Sequence, residues 1–296
     1  MSRRSLLVGV AGLVATRSVR AAEPAASAYE IRDIVVSGRR ATGRRFTLLV
    51  PRHVEGPVPL LVALHGKGET IDEKLGVYAW LERYGLGTSY ERLLRPPVAP
   101  VEARGSRTPH WKPERLREVN DALAARPFGG LAVACPFTPD AFNIGARKAF
   151  LDDYAAWLVD EVVPRARREL AILEGSAHVG VDGVSLGGYV SIEVFLRQAA
   201  HFGAWGTLQG AINKYAAPAY AKSLADVLAR VGPRRLHIET SLGDVYLEDN
   251  EALSAKLRKL GVDHDFVAPP GAHNQPFLRD SGTLEMLLWH DRALRA

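Results

Sequence analysis

His178–Gly188 reads HVGVDGVSLGG, and the reading of this stretch decides the fold. His178–Val184 alternates valine with small residues and suits a strand buried on both faces. It runs without a linker into Gly183-Val184-Ser185-Leu186-Gly187, and a helical pattern over Leu186–Ala200 leaves it. Strand, sharp turn and helix in that order form the setting of a nucleophile elbow. A serine held on such a turn is strained, and side chains two positions to either side would collide, so glycine at 183 and 187 is what the turn requires.

Outward from this stretch the same alternation repeats. Upstream lie two β-branched runs, 29–38 and 44–51, which read as an antiparallel opening pair. The apolar runs 58–66 and 130–136 follow. Downstream lie Arg235–Thr240 and a weaker Asp265–Ala268. Between them, Leu151, Tyr154, Ala155, Leu158 and Val162 recur at helical spacing within 149–163. Glu251–Leu260 and Leu284–Leu288 also read as helical, and Tyr220–Val231 more weakly. This predicts an α/β fold, a mostly parallel central sheet flanked by helices, in a domain spanning 29–296. About sixty residues, Glu69–Gly129, separate the third and fourth strands, more than a simple crossover needs. They carry a helix near Asp72–Tyr84 and a Pro/Arg-rich insertion, equally readable as a lid or as surface decoration.

Three motifs stand in order: LHGKG (64–68), GVSLGG (183–188), and the late pair LGD (242–244) and PPGAH (269–273). In these the chain resembles the α/β-hydrolase superfamily, and within it secreted or periplasmic serine esterases of feruloyl-esterase-like or polyhydroxyalkanoate-depolymerase-like type. The resemblance covers about residues 44–296. It implies a triad in the order serine, acid, histidine, with Ser185 as nucleophile and His273, in the turn-rich PPGAH, as base. Among the other histidines after Ser185, His237 falls within a strand, His264 at a strand edge and His290 on a helix. Asp244 ends a strand in a turn and is the expected acid; Asp249, where the next helix begins, reads better as a helix-start acid. The oxyanion hole would take the backbone N–H of Leu186 and one from the HGKG loop, Lys67 first and Gly68 second. His65 would shape that loop without acting as a base.

The reaction this implies is hydrolysis of a small-molecule or polymeric carboxylic ester through an acyl-enzyme. The alternatives are acyl transfer to another alcohol, peptidase activity, and a binding protein that uses the fold without catalysis. No cofactor and no metal site is expected, since neither H-E-x-x-H nor a complete phosphate-loop motif is present. The lone Cys135, in LAVACPF, reads as a small core hydrophobe.

The formal charge of +5 belongs to the first residues. Without Arg3, Arg4, Arg17 and Arg20 the chain has 34 basic residues against 33 acidic ones, so composition gives no support for a nucleic-acid partner. Residues 1–21 have a charged start, a short apolar run from Leu6 to Ala15 and small residues at the exit, the pattern of an export signal. The S-R-R-S-L-L start resembles the twin-arginine type. The run is too short to span a bilayer well. Cleavage after Ala21, a linker over 22–28 and a periplasmic or secreted protein without a membrane span are the expectations.

Overall fold

The computed structural model describes residues 27–38, 42–101 and 109–296. The proposed leader, most of the linker and part of the Pro/Arg-rich insertion lie outside the described residues. In chain order the elements are β1 (Tyr29–Val35), β2 (Arg45–Pro51), β3 (Leu60–Leu64), α1 (Glu73–Glu82), α2 (Leu86–Leu94), α3 (Pro113–Ala125) and β4 (Ala132–Pro136). Then come α4 (Arg147–Trp157), a π-turn (Leu158–Val162), α5 (Val163–Glu169), β5 (Val179–Gly183), α6 (Leu186–Gln198), β6 (Ala204–Leu208) and α7 (Ala217–Val231). β7 (Arg235–Glu239), α8 (Leu247–Lys259), β8 (Asp265–Val267), the short α9 (Gln275–Phe277) and α10 (Thr283–Ala293) complete the chain.

The eight strands form one sheet in the order β1-β2-β4-β3-β5-β6-β7-β8. β1, β2 and β4 pair antiparallel in sequence, and every pairing from β4 through β3 to β8 is parallel. Every residue of β3, β4 and β5 is buried, because helices cover both faces and each side chain must meet an apolar layer. One layer packs Leu60, Val62, Tyr154, Val181 and Ile192 against α4 and α6. The other packs Leu61, Ala63, Trp80, Tyr90 and Val133 against α1, α2 and α10.

Two features depart from the sequence reading. The strand β6 was not anticipated: AWGTL is short and half small residues. Its Gly206 is explained by a neighbour, since a β-carbon there would stand 1.9 Å from Asp182 Oδ2 on β5. The predicted helix over 149–163 is interrupted by the π-turn. Pro164, which has no N–H to return to the preceding turn, sits two residues past its end.

The described part of the insertion is built into the molecule. Trp111, Val119 and Leu123 are buried in the second apolar layer. The carboxylate of Asp280, beyond α9, accepts from Val101 N (2.7 Å) and Trp111 Nε1 (3.2 Å) and lies 3.1 Å from His110 Nδ1. Trp80, Tyr90 and Trp205 are wholly buried core. Among the described residues, no helix is long and apolar enough to cross a membrane.

Candidate active site

The carboxyl ends of the parallel strands carry the residues singled out above. β5 ends at Gly183 and Ser185 follows on the turn, with φ 57 and ψ −115. Only close backbone approach permits that turn. A β-carbon on Gly183 would lie 2.3 Å from Gly187 O, and one on Gly187 would lie 2.3 Å from Leu64 O at the end of β3. The turn is clamped from the next strand too: Ser185 N donates to Leu208 O at 3.0 Å, and Ala211 N donates to Ser185 O at 2.9 Å.

His273 reaches this serine from the loop after β8. Its Nε2 lies 3.0 Å from Ser185 Oγ, and its Nδ1 lies 2.8 Å from Asp244 Oδ1. Asp244 sits past the end of β7, its carboxylate buried, while the His273 ring keeps 26% of its surface exposed. Two further donors hold the carboxylate: Tyr246 N at 3.0 Å to Oδ1 and Thr240 Oγ1 at 2.7 Å to Oδ2. A carboxylate on Nδ1 fixes the tautomer with the proton there and leaves Nε2 to accept from the serine hydroxyl. The Tyr246 ring stands edge-on to the imidazole at 5.4 Å.

Asp249 is elsewhere. It lies in the first turn of α8 and accepts from Lys214 N at 2.7 Å. The structure thus brings Ser185, His273 and Asp244 together and leaves Asp249 apart.

The HGKG loop runs beside the elbow: a β-carbon on Gly66 would lie 3.7 Å from Ser185 Cβ. Gly66 N is not free to face a ligand, because it donates to Tyr84 Oη at 3.2 Å. The N–H groups of Lys67 and Leu186 each open a helical turn and meet no protein acceptor among the described residues, as expected of first-turn amides. His65 is fully buried between two backbone partners, with Nδ1 2.8 Å from Gly66 O and Thr138 N donating to Nε2 at 2.8 Å. Burial pushes its pKa down to about 4, so it is a neutral strut of the loop.

Several supporting residues escaped the sequence reading. Glu69, buried directly after HGKG, accepts a hydrogen bond from Tyr84 Oη, and Tyr84 in turn holds Gly66. Thr240 and Gln209 are equally silent in sequence; neither belongs to a motif, and only the folded chain brings them to the site. A second acid–imidazole pair, Asp182 with His290 at 2.8 Å, is fully buried and has no serine against it. A cavity of about 420 Å³ lined by Arg115, Arg235, His237 and Trp289 lies by the start of β7, whereas Asp244 lies past its other end. Cys135 is buried, which pushes its thiol up to about 12.

Comparison with solved structures gives the architecture a name. A ferulic acid esterase superposes with a TM-score of 0.64 at 14% identity, over 90% of this chain and 99% of that one. The fluorophosphonate-binding serine hydrolase FphF of Staphylococcus aureus gives 0.59 at 15% identity, over 89% and 98%. The chain has the α/β-hydrolase fold. A serine-to-alanine mutant of the feruloyl esterase module from Clostridium thermocellum, complexed with sinapinate, gives 0.56 at 15% identity, over 92% and 90%. No protein-family model matches the sequence, and none of the curated proteins compared with it matches either. These three neighbours are serine hydrolases or esterases, alike to this chain in fold at low identity.

Proposed function

We propose that the protein is a serine esterase that cleaves a carboxylic ester through an acyl-enzyme. The observation that carries this is the unbroken chain Ser185 Oγ–His273 Nε2 at 3.0 Å and His273 Nδ1–Asp244 Oδ1 at 2.8 Å. Ser185 Oγ attacks the ester carbonyl as His273 Nε2 takes its proton. The carbonyl oxygen, now an anion, is met by the N–H groups of Lys67 and Leu186; each such donor is worth about 3 kcal/mol in the transition state. His273 then protonates the leaving alcohol, the C–O bond breaks, and the acyl group stays on Ser185. Water repeats the sequence with His273 again as base. Asp244 holds the tautomer and stabilises imidazolium without taking the proton.

For the acyl side, the ferulic acid bound to a ferulic acid esterase from Anaeromyces mucronatus and the sinapinate bound to the Clostridium thermocellum module make aromatic carboxylic esters the first substrates to try. The export-signal pattern of residues 1–21 supports a site of action outside the cytoplasm.

A fluorophosphonate probe tests the proposal, because it needs a serine that is both exposed and activated. Labelling is expected on the peptide containing Ser185, absent in Ser185→Ala and greatly slowed in His273→Ala. Residual turnover of roughly 10³-fold over water is compatible with either variant. A folded Ser185→Ala protein with wild-type ester hydrolysis would overturn the proposal. An acyl product formed with an added alcohol in preference to water would instead make the protein an acyltransferase.

A further inference from the structure

Among the described residues, two that are not glycine have positive φ: Ser185 at 57 and Gln209 at 49. Gln209 follows β6 and is fully buried. Its N–H donates to Glu239 O at the end of β7, 2.7 Å away. Its side-chain Nε2 donates twice, to Ser241 Oγ at 2.7 Å and to Ala272 O at 3.0 Å.

Those two acceptors belong to different parts of the site. Ser241 opens the turn that delivers the acid, with Asp244 N donating to Ser241 O at 3.0 Å. Ala272 directly precedes His273. The residues around Gln209 hold the third part, since Leu208 O and Ala211 N clamp the backbone of Ser185. Gln209 therefore bridges the acid turn and the base loop, while its chain neighbours hold the elbow.

The position is costly to occupy with glutamine. A glycine would relieve the positive φ, and an apolar side chain would avoid the buried Oε1, which has no hydrogen-bond partner. What glutamine contributes in return is a fork of two N–H groups across the acid and base loops.

We infer that Gln209 is a positioning residue of the site: its amide locks the Asp244 turn to the His273 loop and so sets how the imidazole meets Ser185. This rests on the triad proposed above. A small displacement of a base from its nucleophile can cost on the order of 10²-fold in rate, so the lock belongs to kcat and not to substrate affinity.

The experiment compares wild type, Ser185→Ala and Gln209→Met on one activated ester, with phosphonate labelling and thermal melting alongside. Methionine keeps length and volume and removes both donors. In Gln209→Met, kcat is expected to fall about 10- to 100-fold with KM within about threefold, and labelling of Ser185 to slow in parallel. The acidic limb of kcat/KM should move to lower pH, because a carboxylate no longer seated on Nδ1 stabilises imidazolium less. A role in stability alone would lower the melting point and leave that limb unmoved. Should Gln209→Met not fold, Ser241→Ala removes one of the two acceptors and should shift the limb in the same direction by less.

If Ser185→Ala abolishes hydrolysis while the amide variant shows wild-type kcat and an unmoved limb, the positioning role is overturned and the triad stands. A loss carried wholly by KM overturns it too. If Ser185→Ala remains active, the triad falls and the role of Gln209 with it.

Discussion

Two aspartates five residues apart show how much a single side chain's surroundings decide. Asp244 is buried against His273, Thr240 and Tyr246, while Asp249 serves a backbone N–H at a helix start. Asp244→Asn should lower kcat by about 10⁴-fold by favouring the wrong tautomer. Asp249→Asn, which keeps an acceptor oxygen for Lys214 N, should leave kcat within about twofold and stability within about 1 kcal/mol. Steady-state kinetics on the two purified variants decide this, and the reverse ranking would move the acid role. Glu239 makes the opposite case, an acid with nothing to hold. It is fully buried, neither oxygen has a hydrogen-bond partner, and burial, then Glu285 and Asp182, raise its pKa well above the ordinary 4.5. The native state therefore binds its proton more tightly than the unfolded chain, so stability falls as pH climbs above that ordinary value. Glu239→Gln should match wild type in acid and melt higher at neutral pH, with a margin that widens as pH climbs above that ordinary value. A margin that stays level or narrows as pH climbs would mean that Glu239 is ionised in the fold.

At the scale of elements, burial on both faces made the central strands legible. β3, β4, β5 and β7 were anticipated because a strand covered on both faces reads as a continuous apolar run. β6 was not, because its place beside Asp182 calls for glycine where a strand signal would call for a branched residue. The elbow was legible for the converse reason: the glycines it needs form the motif itself. The insertion was unreadable because its anchor is remote in sequence, with Asp280 about 170 residues away from His110 and Trp111. That anchor can be tested. Asp280→Ala strands Trp111 Nε1 in the interior, takes the acceptor from Val101 N and removes the carboxylate 3.6 Å from Arg92 Nη2. Losing such a hub should cost about 3 kcal/mol, seen as a drop on the order of 5–10 °C in melting temperature. Probe labelling of Ser185 in the variant at low temperature should persist, since Asp280 makes no hydrogen bond to Ser185, His273 or Asp244. A melting temperature unchanged from wild type would mean that the insertion is held by its apolar contacts alone.

For the whole molecule, the proposed export leader bears on the state in which the chain would cross a membrane. The two apolar layers on either face of the sheet draw on residues from Tyr29 onward, and the one cysteine is buried and free. Nothing in this architecture waits for an oxidising compartment, so the chain can reach its folded form where it is synthesised. A route that carries folded proteins fits such a chain, and the S-R-R-S-L-L start of the sequence has the twin-arginine pattern that addresses it. Residues 1–21 lie outside the described residues, and their sequence pattern is what supports this proposal. Replacing both Arg3 and Arg4 with lysine keeps the charge and the apolar run, which is all that a general secretory signal needs. The twin-arginine reading therefore predicts that this double variant accumulates in the cytoplasm at full length. Because the domain is expected to be folded there, the trapped protein should still label with the phosphonate at Ser185. Fractionation followed by probe labelling and N-terminal sequencing reads both at once. Undiminished appearance outside the cytoplasm of a form starting near Ala22 would assign the leader to the general route. Trapped protein that is soluble but unreactive would show that the domain needs something the cytoplasm does not provide.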